Sequence, residues 1–286
     1  MITYPYKTHC IDLPLNCKVA YMDEGEGEKT LLFIHGLANY APVWKKNIDE
    51  LKKYYRCIAI DLPGNGLSDQ NNHPFGMSFL AECVHNFIKA MNLKDLCIVG
   101  HSMGGQIAMT TLINYPACAE SLILCAPAGF EQFTHIERTM YYGSIHLLDY
   151  FSSDEHSLRT VVENSFYRNN KQAEGVVKEL VGIMKTYKSN YYRKMVEACI
   201  KGMMEEPVYN NLHKIHHPTL ILFGKYDALI PNKLIHHTTT EKIATEAAKK
   251  IPHAHLEIIP DCGHFLQWEK PTDVNRHIIL FLENEK

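Results

Sequence analysis

A Gly-x-Ser-x-Gly pentapeptide at residues 100–104 joins an apolar stretch to a segment with helical periodicity. Residues 96–99 are apolar and predict a buried strand, whereas the apolar positions after Ser102 recur at helical spacing. A serine at the tip of so sharp a reversal needs small neighbours, because side chains two positions before and after it would collide. Gly100 and Gly104 provide this space. The pentapeptide alone is a weak signal, but with its flanks it predicts that Ser102 is a nucleophile.

Short apolar blocks alternate with helix candidates along most of the chain. Two antiparallel strands are predicted within residues 7–24, with a turn near 14–17. The later blocks are residues 31–34, 57–60, 96–99, 122–125, 220–223 and 256–259. The helix candidates are residues 43–54, 78–91, 103–115, 233–250 and 272–283. This alternation predicts an α/β fold with a mostly parallel sheet and helices on both faces, because each right-handed crossover places a helix on one side.

Residues 130–212 interrupt this alternation. They contain no convincing buried strand, but they do contain helical blocks rich in tyrosine and methionine. We therefore predict a helical cap at 130–212, inserted after the sixth strand, and a single core formed by residues 1–129 and 213–286. Most aromatic and methionine side chains of this insertion should form its own core, and a minority should face a pocket.

The overall composition limits the classes of partner. With a net charge of −3, the chain offers no basic field for nucleic acid, and no apolar run has the length of a membrane-spanning helix. The first residues lack the pattern of a secretory signal, and the nine cysteines include no Cys-x-x-Cys pair. Adjacent histidines at 216–217 and 236–237 make poor metal clamps. We expect a cytoplasmic protein with a small-molecule substrate, no nucleic-acid or membrane partner, no metal and no cofactor; a homo-oligomer is left open.

A serine hydroxyl is a poor nucleophile at neutral pH and needs a base that removes its proton and an acid that orients this base. His264 is the best candidate base, because it follows the predicted strand 256–259 at the carboxyl end of the sheet. Asp227 is the best candidate acid, since it follows the predicted strand 220–223 in the same way. Asp261 is an alternative acid, but its position three residues before His264 is more typical of a turn.

The oxyanion of a tetrahedral intermediate requires preorganised donors, and backbone amides fulfil this role without reorganisation. One predicted donor is the amide of Met103, at the start of the helix that follows the serine. The other is the amide of Leu37, in the turn after strand 31–34, where Gly36 allows a close backbone approach. His35 is expected to brace this turn by hydrogen bonding rather than to act as a second base.

These motifs resemble, in order and spacing, those of the α/β-hydrolase superfamily, specifically its cap-bearing branch of serine hydrolases. The matching segments are residues 33–37, 61–69, 100–105, 224–227 and 263–264. The resemblance covers nearly the whole chain, and the cap is its least specified part. It implies the α/β-hydrolase fold, with an eight-stranded sheet whose second strand is antiparallel and a pocket between sheet and cap. It also implies that residues 61–69 form a mainly structural loop.

The resemblance narrows the chemistry to hydrolysis at acyl or related centres. Haloalkane dehalogenases and epoxide hydrolases of similar shape use an aspartate where this chain has Ser102. What remains is the hydrolysis of esters, thioesters, lactones or amides, perhydrolysis, and carbon–carbon cleavage in vinylogous diketones. We expect a carboxylesterase for small to medium apolar acyl esters. Residues 263–271, which include Trp268, are similar to the region after the catalytic histidine of carbon–carbon hydrolases. Trp268 is predicted to contact substrate. Gly36, in the turn after strand 31–34, is predicted to contact it as well.

Two alternatives to an esterase are left open. Carbon–carbon cleavage requires a cation in the cap that holds a substrate carboxylate. Four arginines are candidates for this role, namely Arg138, Arg159, Arg168 and Arg193. The other alternative is a ligand-binding receptor or a catalytic relic on the same fold, which the presence of Ser102, Asp227 and His264 disfavours.

Overall fold

An eight-stranded sheet carries the structure, a computed structural model that describes residues 2–148, 155–168, 171–186 and 189–284. The strands are β1 (Thr8–Leu13), β2 (Cys17–Glu24), β3 (Thr30–Ile34), β4 (Arg56–Ile60), β5 (Leu96–His101), β6 (Ser121–Cys125), β7 (Thr219–Gly224) and β8 (Ala254–Ile259). Each of the eight predicted strands is present, within two residues of its predicted start and end.

The spatial order of the strands is β1-β2-β4-β3-β5-β6-β7-β8. Strand β2 pairs antiparallel with both β1 and β4, and every other neighbouring pair is parallel. The mostly parallel sheet with an antiparallel second strand is therefore confirmed. Because β3 to β8 run in the same direction, their carboxyl ends meet at one edge of the sheet, where the loops after β3, β5, β7 and β8 converge.

Ten α-helices are found in the described residues. They are α1 (Lys45–Leu51), α2 (Met77–Ala90), α3 (Met103–Asn114), α4 (His135–Leu148), α5 (Glu155–Asn164), α6 (Ala173–Thr186), α7 (Ser189–Glu205), α8 (Thr240–Ala248), α9 (Leu266–Glu269) and α10 (Pro271–Asn284). Helix α1 packs against α10, and α2 packs against α3, so that helices cover both faces of the sheet. Among the described residues, none of these helices combines the length and the apolar content that a bilayer crossing requires.

The centre of the sheet is its most apolar part, as expected for strands covered on both faces. All residues of β3, β5, β6 and β7 are buried, whereas β1 and β8 at the edges are only partly buried. Trp44, on a short 3₁₀ helix before α1, is fully buried and packs against Phe33 of β3. This rigid centre fixes the strand ends from which the candidate site residues project.

Helices α4 to α7 lie between β6 and β7 in the chain, within the range predicted as a cap. The exact boundaries at 129/130 and 212/213 remain a prediction. One predicted helix is wrong in part: the candidate at 233–250 is helical only over α8, and residues 233–239 are not helical. The Thr239 side chain accepts a hydrogen bond from the Lys242 amide and thereby caps the helix, which places the helix start at Thr240.

Candidate active site

Ser102 is the single residue that connects the end of β5 to the start of α3. Its backbone has φ 53° and ψ −120°, a conformation that costs energy for any residue with a side chain and that marks functional turns. A Cβ atom at Gly100 would lie 2.5 Å from the Gly104 carbonyl oxygen, and one at Gly104 would lie 2.3 Å from the Ile34 carbonyl oxygen. The glycines are therefore required where the sequence pattern predicted them.

Asp227 and His264 meet at the carboxyl edge of the sheet, in the loops that follow β7 and β8. The His264 Nδ1 atom lies 2.8 Å from the Asp227 Oδ2 atom, and both side chains are buried. The other carboxylate oxygen of Asp227 accepts hydrogen bonds from the amides of Leu229 and Ile230 at 2.8 and 3.0 Å. With Asp227 as the acceptor, His264 carries its proton on Nδ1 and keeps the Nε2 lone pair for a proton from elsewhere.

Ser102 and His264 both line one cavity of about 460 Å³ at the carboxyl edge. In the part of the chain that the structure describes, no hydrogen bond joins the Ser102 hydroxyl to the His264 ring. Such contacts are often long in the absence of substrate and shorten when it binds. The structure thus contains the hydrogen-bonded pair of His264 and Asp227, and Ser102 lies in the same cavity as His264.

The alternative acid does not contact the histidine. Asp261 lies at φ 49°, a left-handed conformation typical of a turn, and its carboxylate hydrogen-bonds with the Tyr167 hydroxyl and raises the pKa of that hydroxyl. The geometry therefore favours Asp227 over Asp261 as the partner of His264.

The two predicted oxyanion donors flank Ser102. Leu37 lines the cavity, and Met103 is the first residue of α3, where the helix dipole favours negative charge. Neither amide donates a hydrogen bond to another group in the described ranges, so both can donate to a substrate oxygen. A Cβ atom at Gly36 would lie 3.1 Å from the Ser102 Cβ atom, which shows how closely the backbone of this turn approaches the serine.

His35 braces the turn after β3 from within the core. Its Nδ1 atom lies 2.8 Å from the Gly36 carbonyl oxygen, and the Leu62 amide donates to its Nε2 atom at 3.0 Å. The ring is fully buried, and this burial lowers its pKa to about 4. His35 is therefore neutral near pH 7 and makes the bracing contacts that the sequence analysis predicted.

The structure places Trp268 away from the cavity, and the predicted contact with substrate has no support in its geometry. Trp268 is 2% exposed, its Nε1 atom donates to the Gln172 carbonyl oxygen at 2.9 Å, and the ammonium groups of Lys45 and Lys46 lie 4.6 and 4.7 Å from its ring. The residue follows the histidine closely in sequence, but the short helix α9 directs its side chain toward Lys45 and Lys46 of α1 and toward Gly175 of α6 instead.

Three buried groups that the sequence analysis did not single out support the histidine loop. The His101 Nε2 atom donates to the His264 carbonyl oxygen at 3.1 Å, and burial, together with the nearby His264, holds the pKa of His101 well below its usual range. The Glu269 carboxylate accepts from the amides of Gly263 and Tyr167 at 2.8 and 3.0 Å. The Ser165 carbonyl oxygen accepts from the His264 amide at 2.7 Å. The sequence offered a signal only for His101, which lies inside the pentapeptide.

Apolar side chains from the helices between β6 and β7 form much of the cavity wall. They include Val161, Val162, Leu180, Val196, Ile200 and Met203, and the core contributes Leu37 and Phe265. Of the four candidate arginines, Arg193 lines the cavity, and its Nε atom lies 3.7 Å from a carboxylate oxygen of Glu197, which lines it too. Arg159 pairs with Glu163 and Glu174, and Arg168 lies over the Tyr167 ring.

Comparison with known proteins gives one family match. Residues 29–271 match the family model described as alpha/beta hydrolase fold. The chain is 24% identical over 262 residues to a protein from Homo sapiens named monoacylglycerol lipase ABHD6, which covers 88% of this chain and 75% of that protein.

Solved structures show the same fold. A probable hydrolytic enzyme (PA3053) from Pseudomonas aeruginosa PAO1 superposes with a TM-score of 0.82 at 23% identity, covering 98% of this chain and 96% of that one. The esterase EaEST from Exiguobacterium antarcticum superposes with a TM-score of 0.80 at 20% identity, covering 96% and 98%.

Proposed function

Because the chain belongs to the alpha/beta hydrolase fold family, a family of hydrolases, we propose that it is a serine hydrolase, and specifically a carboxylesterase for small to medium apolar acyl esters. The observation that carries this proposal is the 2.8 Å contact between the His264 Nδ1 atom and the Asp227 Oδ2 atom, beside a cavity that also contains the strained Ser102. That contact leaves the histidine in the tautomer that accepts a serine proton.

In the acylation step, His264 removes the proton of the Ser102 hydroxyl as its oxygen attacks the ester carbonyl carbon. The carbonyl oxygen becomes an oxyanion, which the amides of Leu37 and Met103 stabilise. Asp227 stays ionised and stabilises the imidazolium that forms. When the tetrahedral intermediate collapses, the ester C–O bond breaks, the proton passes from His264 to the leaving alcohol, and an acyl-serine remains.

In the deacylation step, water replaces the alcohol. His264 removes a proton from this water as its oxygen attacks the acyl-serine carbonyl carbon, and the same two amides stabilise the second oxyanion. Collapse returns the proton to Ser102 and releases the carboxylic acid, so that the enzyme regains its initial state. The buried Asp227, which three hydrogen bonds hold in place, keeps the imidazole orientation through both steps.

The acyl preference follows from the composition of the cavity wall. Burial of apolar area stabilises a bound acyl chain by about 25 cal/mol per Å² of area removed from water. Leu180, Val196 and Ile200 supply such area on the side of the cavity that the inserted helices form. The relative from Homo sapiens is named a monoacylglycerol lipase, which supports including glycerol monoesters among the substrates to be tested.

Turnover of p-nitrophenyl acetate, butyrate and octanoate tests this proposal. We expect steady-state hydrolysis of all three, with kcat/KM rising from acetate to butyrate, and a loss of several orders of magnitude in the Ser102→Ala variant. Monoacylglycerols with the same acyl chains should follow the same order. Turnover no faster than that of Ser102→Ala on every ester would contradict the proposal.

A fluorophosphonate probe separates an enzyme from a receptor or relic on the same fold. Its phosphorus forms a covalent bond with an activated serine oxygen and releases fluoride, so the wild-type protein should gain the mass of the phosphonyl group on Ser102. The Ser102→Ala and His264→Ala variants should gain none. Absence of the adduct in the wild-type protein would support a receptor or relic instead.

Arg193 is the observation that favours the carbon–carbon alternative, because it is a cap arginine on the cavity wall. Its pairing with Glu197 favours the ester proposal, since the pair offers a substrate carboxylate less net positive charge than a lone arginine would. A vinylogous diketone that bears a carboxylate distinguishes the two. Carbon–carbon cleavage would be favoured if the wild-type protein cleaved this diketone faster than p-nitrophenyl butyrate and if Arg193→Gln lost this preference for the diketone.

A further inference from the structure

Three potential metal ligands converge at a place separate from the cavity. Cys17 is the first residue of β2, and Asp69 and His73 lie in the segment between β4 and α2. One donor atom from each, a thiol sulfur, a carboxylate oxygen and an imidazole nitrogen, lie within 4.8 Å of one another. Cys17 is 3% exposed, and the side chains of His73 and Asp69 are 5% and 10% exposed. None of the three lines the cavity of Ser102.

Backbone hydrogen bonds hold the carboxylate in position. The Lys18 amide donates to Asp69 Oδ2 at 2.6 Å, and the Asn71 amide donates to Asp69 Oδ1 at 3.0 Å. The Asp69 amide in turn donates to the Lys18 carbonyl oxygen at 2.9 Å, which ties the segment to the start of β2. Because carboxylate oxygens have several lone-pair directions, these bonds leave Asp69 able to accept a further partner.

Aromatic packing holds the imidazole in position. The His73 ring stacks on Phe79 with ring centres 4.9 Å apart, and it meets the edge of Phe75 at 5.8 Å. Its Nε2 atom lies 2.6 Å from Asp69 Oδ1. This contact by itself explains why Asp69 and His73 are together, but it does not explain why a thiol is buried within the same small volume.

A second thiol lies beside the first. Cys83, on α2, is 2% exposed, and its side chain contacts that of Cys17. No disulfide bond joins the Cys17 and Cys83 thiols. The start of β2, the segment before α2 and α2 itself therefore bring two sulfurs, one nitrogen and one carboxylate together at a largely buried place.

We propose that Cys17, Asp69 and His73 form a binding site for a zinc-type divalent cation, with Cys83 adjacent as a further sulfur donor. Thiolate, imidazole and carboxylate are the ligands that Zn²⁺ takes in proteins, whereas Mg²⁺ and Ca²⁺ prefer oxygen ligands alone. Binding requires the Cys17 thiol and the His73 Nε2 atom to be unprotonated, so metal uptake releases protons and is stronger at higher pH.

The site is structural rather than hydrolytic. A cation held there joins the start of β2 to the segment before α2. It stabilises only the folded chain, because Cys17 is far in sequence from Asp69 and His73 and only folding brings the three ligands together. Removal of the cation should lower the unfolding midpoint and leave ester turnover at temperatures far below that midpoint unchanged. The metal-site proposal and the proposed hydrolase function can therefore be contradicted independently of each other.

Co²⁺ absorption spectroscopy tests the proposal directly. Protein stripped with a chelator and kept reduced is titrated with Co²⁺, and thiolate coordination produces a charge-transfer band in the near ultraviolet. We expect this band in the wild-type protein and in Ser102→Ala, its displacement by Zn²⁺, and no displacement by Mg²⁺. Asp69→Asn and His73→Asn should weaken binding by at least about tenfold, the smallest loss typical when even a partner of a metal ligand is removed.

The decisive comparison is between two cysteine variants. Cys17→Ser should lose the charge-transfer band and the rise in unfolding midpoint with Zn²⁺, while Cys10→Ser, which removes the exposed thiol of β1, should retain both. Far-ultraviolet circular dichroism of each variant establishes that it is folded. Absence of the band in the wild-type protein, or its persistence in folded Cys17→Ser, overturns the proposal.

Discussion

The Tyr192 hydroxyl on α7 donates a hydrogen bond of 3.1 Å to the carbonyl oxygen of Ala38, which lies one residue beyond the proposed oxyanion donor Leu37. Both residues are 1% exposed, and Ala38 has φ 59°, a left-handed conformation that is strained for a residue other than glycine. A helix that follows β6 in the chain thus holds the turn that follows β3. This contact couples the inserted helices to the geometry of the oxyanion site.

Removal of this hydroxyl should slow the chemical step and spare substrate binding. We expect Tyr192→Phe to lower kcat by about tenfold with little change in KM, since loss of an oxyanion donor itself costs about 10² to 10³. The readout is steady-state hydrolysis of p-nitrophenyl butyrate. Tyr191→Phe is the matched control, because that hydroxyl contacts Asn71 rather than the oxyanion turn. Equal losses in both variants would point to a general effect of α7 on folding.

Asp227→Asn should preserve the fold and remove most of the activity. The asparagine oxygen can still accept from the amides of Leu229 and Ile230, but its NH₂ group then faces His264 Nδ1 and forces the proton onto Nε2. By analogy with the serine proteases, kcat should fall by about 10⁴. Asp261→Asn is the control, and its kcat should stay close to that of the wild-type protein. A larger loss in Asp261→Asn than in Asp227→Asn would reverse the assignment of the acid.

The stability of the protein should fall in mild acid because of His35. Burial lowers its pKa to about 4 from the ordinary value of 6.5, so between these pH values the unfolded chain binds a proton that the folded chain does not. The stabilisation is therefore fully present above pH 6.5 and is lost as the pH falls through 4. One such proton corresponds to a slope of up to about 1.4 kcal/mol per pH unit. The buried His101 acts in the same direction.

Urea denaturation between pH 4 and pH 8 measures this slope. His35→Gln removes the titrating group and should flatten the dependence by about one proton, while a glutamine oxygen can still accept from the Leu62 amide. His213→Gln, at an exposed position, is the control and should leave the slope close to that of the wild-type protein. An unchanged slope in His35→Gln would mean that His35 is not the origin of the acid sensitivity.

Trp268→Phe should weaken the fold and leave substrate affinity unchanged. The substitution removes the Nε1 hydrogen bond to the Gln172 carbonyl oxygen and part of the surface that packs between Lys45 and Lys46, at a cost of about 1 to 2 kcal/mol in the free energy of unfolding. KM for p-nitrophenyl butyrate should not change. Phe265→Leu, which alters the cavity wall, should by contrast change KM. A shift of KM in Trp268→Phe would support the substrate contact predicted from sequence.

Local signals in the chain were sufficient for the sheet and for the candidate catalytic side chains. The apolar blocks are each long enough to form one buried strand, and the glycines around Ser102 have a purely steric reason that holds in any fold with this turn. Asp227 and His264 were predictable because each follows a strand, and the carboxyl ends of parallel strands meet at one edge. The error at residues 233–239 arose because this segment contains no glycine or proline that would mark a helix boundary before the cap at Thr239.

What the sequence by itself determined is the order of the strands and helices along the chain and the identity of the residues at the strand ends. These features depend on periodicity and on steric limits between near neighbours. Only the tertiary structure decided that Trp268 packs against two lysines, that Tyr192 holds the carbonyl of Ala38, and that Cys17 lies beside Asp69 and His73. Each of these contacts joins residues more than fifty positions apart, except that between Asp69 and His73. No periodic pattern encodes such contacts, because the packing of whole elements sets their distances.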